Sequence, residues 1–159
     1  MRVGFATDHA GFDLKRELCQ GAKAEGYDIV DFGAFRYDAK DDYPDYVFPL
    51  AEAIRREEVE RGIALCGSGI GVCIAANKVA GVRAAVAHDA LSVRQGVEDD
   101  DLNLLCLGSY VVEPQQAINL VSVFLSARFS GADRYRRRIQ KISDVETRER
   151  LFGAAAEQW

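Results

Sequence analysis

Five short apolar runs, each followed by a longer stretch with apolar residues at helical spacing, constrain this chain more than any other feature. VGFAT leads into a helix expected at Phe12 to Glu25, and YDIVDF into an irregular acidic loop and a helix near Phe48 to Glu58. GIALC precedes a helix near Val72 to Lys78, VRAAVA one at Ala90 to Val97, and LNLLCLG one at Gln115 to Arg128. Strands with no polar face must be covered on both sides, and strands separated by helices run parallel with right-handed crossovers. The expected fold class is α/β, a five-stranded parallel sheet in a three-layer, Rossmann-like αβα sandwich. From Ser130 onward remain an arginine-rich segment, DRYRRRIQKI, and a final helix expected around Asp144 to Ala156. That helix is surplus to the sheet, so packing on a partner subunit is expected of it. No linker, repeat or low-complexity stretch interrupts the pattern, and residues 1–159 read as a single domain.

Composition narrows the field. A chain of 159 residues, 48% of them hydrophobic, can bury a core without disulfides or metal. It contains no apolar run of about 18 residues and its first residues lack a signal-peptide core, so the expected location is cytoplasmic, with no membrane partner. The four cysteines, at 19, 66, 73 and 106, form no CxxC pair and are expected as reduced thiols. A formal net charge of -5 argues against a nucleic-acid partner, although it leaves room for a local basic pocket.

In an open α/β sheet, ligands bind beyond the carboxyl ends of the strands where strand order reverses. For the common order 2-1-3-4-5 that crevice lies between the first and third strands. Thr7, Asp8, His9, Ala10 and Gly11 then converge with Cys66 to Gly71, the stretch CGSGIG. Known glycine-rich motifs do not fit this stretch. The dinucleotide fingerprint needs glycine where Val72 stands, a P-loop needs a lysine that Lys78 is too far along to supply, and the serine elbow needs glycine in place of Cys66. Zinc through His9, Cys66 and Cys73 lacks a recognised spacing, so no metal is expected.

What remains is proton chemistry. A thiol beside a helix N-terminus is a usable base, because the thiolate is favoured there. Ser68 can exchange a proton with a substrate oxygen, and the backbone N–H groups of Gly67 to Gly71 can stabilise an oxyanion. The alternative for Cys66 is a small apolar residue closing a strand, which is also the expectation for Cys19, Cys73 and Cys106. His9 could equally cap a turn, and His88 could sit at the sheet mouth with no catalytic part.

TDHAGFDLK at 7–15, DYP at 42–44, CGSGIGVCIAANKVAGVRAA at 66–85 and RYRRRI at 134–139 resemble the ribose-5-phosphate isomerase B family, which also includes galactose-6-phosphate isomerase subunits. The resemblance runs from Met1 to about Ile142. It implies a dimer, or a tetramer built from it, in which each active site borrows residues from the other subunit, and no metal or organic cofactor. It makes Cys66 the base that moves a proton between C1 and C2 of a sugar phosphate through a cis-enediolate, with Ser68 near the sugar oxygens. Asp8, Tyr43, Gly67, Gly69, Ile70 and Gly71 line the substrate site. His9, Arg134 and Arg138 hold the phosphate; the two arginines, four apart, share one face of a helix, whereas without the resemblance an arginine run reads as a solvated face.

Three positions, in two stretches, depart from the family pattern. Family members commonly carry histidine and asparagine where this chain has Asp99 and Asp100, and the histidine helps to open the furanose ring. Asp99 is therefore expected in that catalytic place and Asp100 against the substrate, though EDDD alone reads as a solvated acidic turn. Tyr110, in LGSYVV, stands where arginine is common and offers one neutral hydrogen-bonding group. The resemblance implies isomerisation of ribose 5-phosphate and ribulose 5-phosphate; the departures leave open another sugar phosphate, a tetrose or a hexose such as galactose 6-phosphate, or a non-catalytic sugar-phosphate binder.

Overall fold

The computed structural model describes residues 1–156, with side chains through residue 148. Strands β1 (Arg2–Thr7), β2 (Asp28–Asp31), β3 (Arg61–Cys66), β4 (Ala84–Val86) and β5 (Leu104–Gly108) alternate with helices α1 (Phe12–Ala24), α2 (Pro44–Arg55), α3 (Ile70–Ala76), α4 (Ala90–Asp100) and α5 (Pro114–Ser126). A last helix, α6, spans Asp133–Ala156. All strand pairs are parallel, in the order β2-β1-β3-β5-β4.

This order corrects the expected 2-1-3-4-5. Leu104–Gly108 is buried throughout, as a strand between two neighbours and two helical layers must be. Ala84–Val86 is short and only half-buried, which suits an edge. So β5 lies beside β3 and β4 takes the rim. The crevice between β1 and β3 survives the exchange, and the turn after β5 now adjoins the Cys66 loop.

Two apolar layers cover the sheet. One face packs Phe5, Ile63, Leu65, Leu105 and Leu107 under α1, α4 and α5. The other presents the smaller Ala6, Ala64, Cys66 and Cys106 to α2 and α3. The period of two along β3 thus aims Cys66 into the α2–α3 layer, beneath the start of α3.

Helix boundaries shift where capping residues act. Helix α2 begins at Pro44, four residues before the expected start, because proline at the first helical position gives up an N–H that would have no partner. Helix α3 begins at Ile70, directly after Gly69, whose φ of +78° no other residue would adopt without strain. The arginine-rich segment and the expected C-terminal helix are one continuous helix, since no glycine or proline interrupts residues 133–152. Residues 157–159 of the expected partner-packing segment lie outside the described residues. Among the described residues no helix is long and apolar enough to cross a membrane.

Lys15 is buried, 1% exposed, and its ammonium donates to Asp31 Oδ1 at 2.5 Å and to the Ala34 carbonyl at 3.0 Å. It ties α1 to the loop after β2. Lys15→Met keeps the apolar stem but leaves the Ala34 carbonyl without this donor, while Asp31 keeps water and the Gly33 N–H, so we expect a loss of about 1–3 kcal/mol in urea unfolding.

Candidate active site

Hydrogen bonds lock the carboxyl ends of β1, β3 and β5 together. The Thr7 hydroxyl donates to the Asp8 carbonyl at 3.0 Å and lies 3.2 Å from that of Leu65. The Ser109 hydroxyl is 2.7 Å from the Ala10 carbonyl and 3.1 Å from that of Cys66. The Ser109 and Tyr110 backbone N–H groups donate to the carbonyls of Cys66 and Gly67. Thr7 falls within TDHAGFDLK and Ser109 within LGSYVV, but only the strand order reveals that they staple the site.

Within this frame the Cys66 side chain is 5% exposed and accepts a hydrogen bond from the Gly69 N–H at 3.2 Å. That N–H is aimed at sulfur, so part of the expected oxyanion cradle is spent on the Cys66 side chain instead. The Ile70 N–H likewise bonds the Ser68 hydroxyl oxygen at 3.3 Å. Ser68 itself is exposed at the mouth. A Cβ on Gly69 would lie 2.9 Å from the backbone of Leu107 and Gly108, so the loop closes on β5 only with glycine there. Tyr43, preceding α2, packs its ring against Gly71, and the Tyr110 ring lies over Gly67.

Asp8 caps the short 3-10 turn His9–Gly11, its Oδ1 accepting from the Ala10 N–H at 3.0 Å. Burial raises its pKa, and the nearby Asp41 adds to the rise. His9 is half-exposed beside it, with Nδ1 2.7 Å from Asp41 Oδ1. Asp41 was not anticipated; it comes from the irregular loop after β2, where no periodicity or motif marks it.

Asp8, His9, Tyr43, Cys66, Ser68, Gly67, Gly69, Ile70, Gly71 and Tyr110 therefore gather at one mouth. Asp99, Asp100, Arg134 and Arg138 do not join them. Asp99 and Asp100 form the last turn of α4, which returns the chain to the amino end of the sheet, about 17 Å from Cys66 by the length of β5. Within EDDD, Glu98 to Asp100 are thus helical, and Asp101, the left-handed cap that ends α4, is held by Arg83 at 2.6 Å. The Ser130 N–H bonds the Glu98 carbonyl at 3.0 Å, which seats the start of α6 beside this same end of α4. Arg134 and Arg138 flank the Tyr135 ring and are exposed on one face of α6, followed on that face by exposed Ile142 and Val145. His88 follows β4, exposed, with its carbonyl accepting from the Gln116 side chain.

Of the other thiols only Cys106 is fully buried, and burial holds it well above the ordinary thiol range; burial pushes half-buried Cys19 up to about 12, whereas the hydrogen bond with Cys106 lowers half-buried Cys73. Among the described residues no cluster of His, Cys, Asp or Glu is arranged to hold a metal ion.

The sequence model of the family described as Ribose/Galactose Isomerase matches residues 3–142, most of the chain. The chain belongs to that family. It is 36% identical over 147 residues to ribose-5-phosphate isomerase B of Escherichia coli, covering 92% of this chain and 97% of that one. Among solved structures, ribose-5-phosphate isomerase B of Clostridium thermocellum superposes with a TM-score of 0.90 at 41% identity, covering 94% of this chain and 99% of that one. The enzyme of Mycoplasma genitalium, solved with bound ribulose-5-phosphate, gives 0.87 at 39% identity, with 92% and 96% covered. Membership makes this chain an aldose–ketose isomerase of sugar phosphates.

Proposed function

We propose that the chain interconverts ribose 5-phosphate and ribulose 5-phosphate, with Cys66 as the base. The observation that carries this reading is the Gly69 N–H aimed at the Cys66 sulfur, inside a crevice that also holds Asp8, His9, Tyr43 and Ser68. A sulfur that merely closes a strand needs no donor; a thiolate does.

In the open-chain aldose, the Cys66 thiolate takes the proton from C2, and the electron pair passes into a cis-enediolate across C1 and C2. Ser68, at the mouth, relays a proton from O2 to O1. Cys66 then returns its proton to C1, which leaves the ketose. Backbone N–H groups at 67 and 68, not spent inside the loop, face the developing oxyanion. Asp8 and Tyr43 hold sugar hydroxyls, together with Gly67, Gly69, Ile70, Gly71 and Tyr110 along the wall. No metal or organic cofactor enters this scheme.

The remaining residues belong to a second subunit's site in a homodimer. Asp99, Asp100, Arg134 and Arg138 share the amino end of the sheet, far from their own Cys66, and the arginine face of α6 continues into exposed Ile142 and Val145. A dimer that lays this face on the partner's mouth brings Asp99 of the partner subunit to the ring oxygen and two guanidinium groups to the phosphate, and covers the apolar stripe. Four carboxylates at the end of α4 oppose the helix dipole, a local cost that a functional role explains. The four free thiols fit the reducing cytoplasm.

The test is a substrate panel. Ribose 5-phosphate is expected to exceed galactose 6-phosphate and a tetrose 4-phosphate in kcat/KM by at least about tenfold, the discrimination typical of a shaped pocket. The reverse order would move the assignment to the other sugar, with Tyr110 over Gly67 as the first residue to examine. Binding without turnover across the panel would make the chain a sugar-phosphate binder.

A further inference from the structure

Asp41 is an acidic side chain of the mouth for which the reaction scheme has no task. It arrives from the loop after β2, yet its side chain is only 7% exposed. Its Oδ1 takes two hydrogen bonds from a single residue, the His9 backbone N–H at 2.9 Å and ring Nδ1 at 2.7 Å. Its Oδ2 is buried and makes no close hydrogen bond, although the Tyr46 side chain of α2 faces this carboxylate. A buried carboxylate with unfilled acceptor capacity is costly unless a cation answers it, and the imidazole in contact with it is the group placed to do so.

The surroundings of His9 point the same way. Asp8 faces it from its own turn, Asp38 and Asp41 from the loop after β2, and Tyr37 meets the ring edge-on with centroids 6.3 Å apart. All the charges among these are negative. With Nδ1–H committed to Asp41, Nε2 is the nitrogen left for a ligand. The Ser109 hydroxyl, bonded to the Ala10 carbonyl, holds the neighbouring turn in register with the Cys66 loop.

We propose that Asp41 is a positioning residue for the phosphate of the substrate: it fixes the His9 ring with Nδ1–H inward and keeps that ring cationic, so that His9 meets the phosphate as an imidazolium. The inference rests on the sugar-phosphate reading above and deepens it by assigning the charge at this end of the site. The direction of the His9 pKa agrees. The Asp41 hydrogen bond raises it most, and the charges of Asp8, Asp41 and Asp38 add to the rise against the cost of burial. A phosphate monoester gains its second charge above about pH 6. Phosphate is therefore held best between that point and the raised His9 value, and the hold is lost as pH rises through the latter.

Asp41→Asn separates charge from shape, because the amide oxygen still accepts from Nδ1–H. The chain has two histidines, so NMR titration in a His88→Gln background follows the His9 ring alone. In Asp41→Asn we expect the His9 pKa to fall, which at slightly alkaline pH raises KM for ribose 5-phosphate by up to about tenfold with kcat changed less than about threefold. The gap in KM should narrow as pH falls and the ring becomes charged in both proteins. An unchanged His9 titration, or a KM increase of equal size at every pH, would overturn the proposal and reduce Asp41 to a structural contact. Should the wild-type protein fail to turn over ribose 5-phosphate, the substrate assignment falls separately. The His9 titration, and the shift of its ring signals on adding inorganic phosphate, then still decide the role of Asp41: a signal that moves in wild type and not in Asp41→Asn supports it, and equal movement in both rejects it.

Discussion

Cys66→Ala is expected to lower kcat for ribose 5-phosphate by at least about 10³-fold, the scale of losing the group that transfers the proton. The structure makes this a clean substitution. Cys66 ends β3 with its side chain 5% exposed against small neighbours, so alanine removes one atom without opening a sizeable cavity. The Gly69 N–H loses its acceptor, at a cost of about 1 kcal/mol, which leaves the protein folded. Circular dichroism and thermal unfolding close to wild type, beside absent turnover, are the expected pair of results. Retained turnover in Cys66→Ala would return the thiol to the role of a small residue closing a strand.

The second large effect concerns residues that a single chain cannot bring to its own mouth. Charge-assisted hydrogen bonds are worth about 1.5–3 kcal/mol each, so Arg134→Ala with Arg138→Ala should raise KM by at least about 100-fold. Both side chains are exposed in the single chain and touch only Tyr135 among rings, so folding should be spared. Coexpressing this double variant with Cys66→Ala adds a geometric test. If sites are shared, each mixed dimer has one site with both defects and one with neither, and random pairing restores about a quarter of the wild-type rate. If each site is built within one chain, the mixture stays inactive.

The alternation of strands and helices was legible because each strand is an apolar run too short to be a helix, and each helix carries its own spacing. The position of β5 was not legible from alternation. It follows from the contrast between fully buried Leu104–Gly108 and half-buried Ala84–Val86, a property of packing in three dimensions. The continuity of α6 was hidden because Ser143 and Asp144 look like a cap, yet nothing in the segment breaks a helix. At the mouth, Cys66, Ser68, Asp8 and His9 could be read from their places after strands. Asp41 could not, since its link to His9 spans 32 residues and starts in an irregular loop. The place of Asp99, Arg134 and Arg138 was not legible, because their distance from Cys66 emerges only when α4 and α6 are traced to the far end of the sheet.

Incubating the purified protein with ribose 5-phosphate in deuterated water, and following the products by NMR, tests the central claim most directly. Proton transfer by a single base predicts deuterium at C1 of the ribulose 5-phosphate to the extent that the thiol proton exchanges with solvent while the enediolate lasts, and neither conversion nor exchange in Cys66→Ala. Conversion that persists in Cys66→Ala would contradict it.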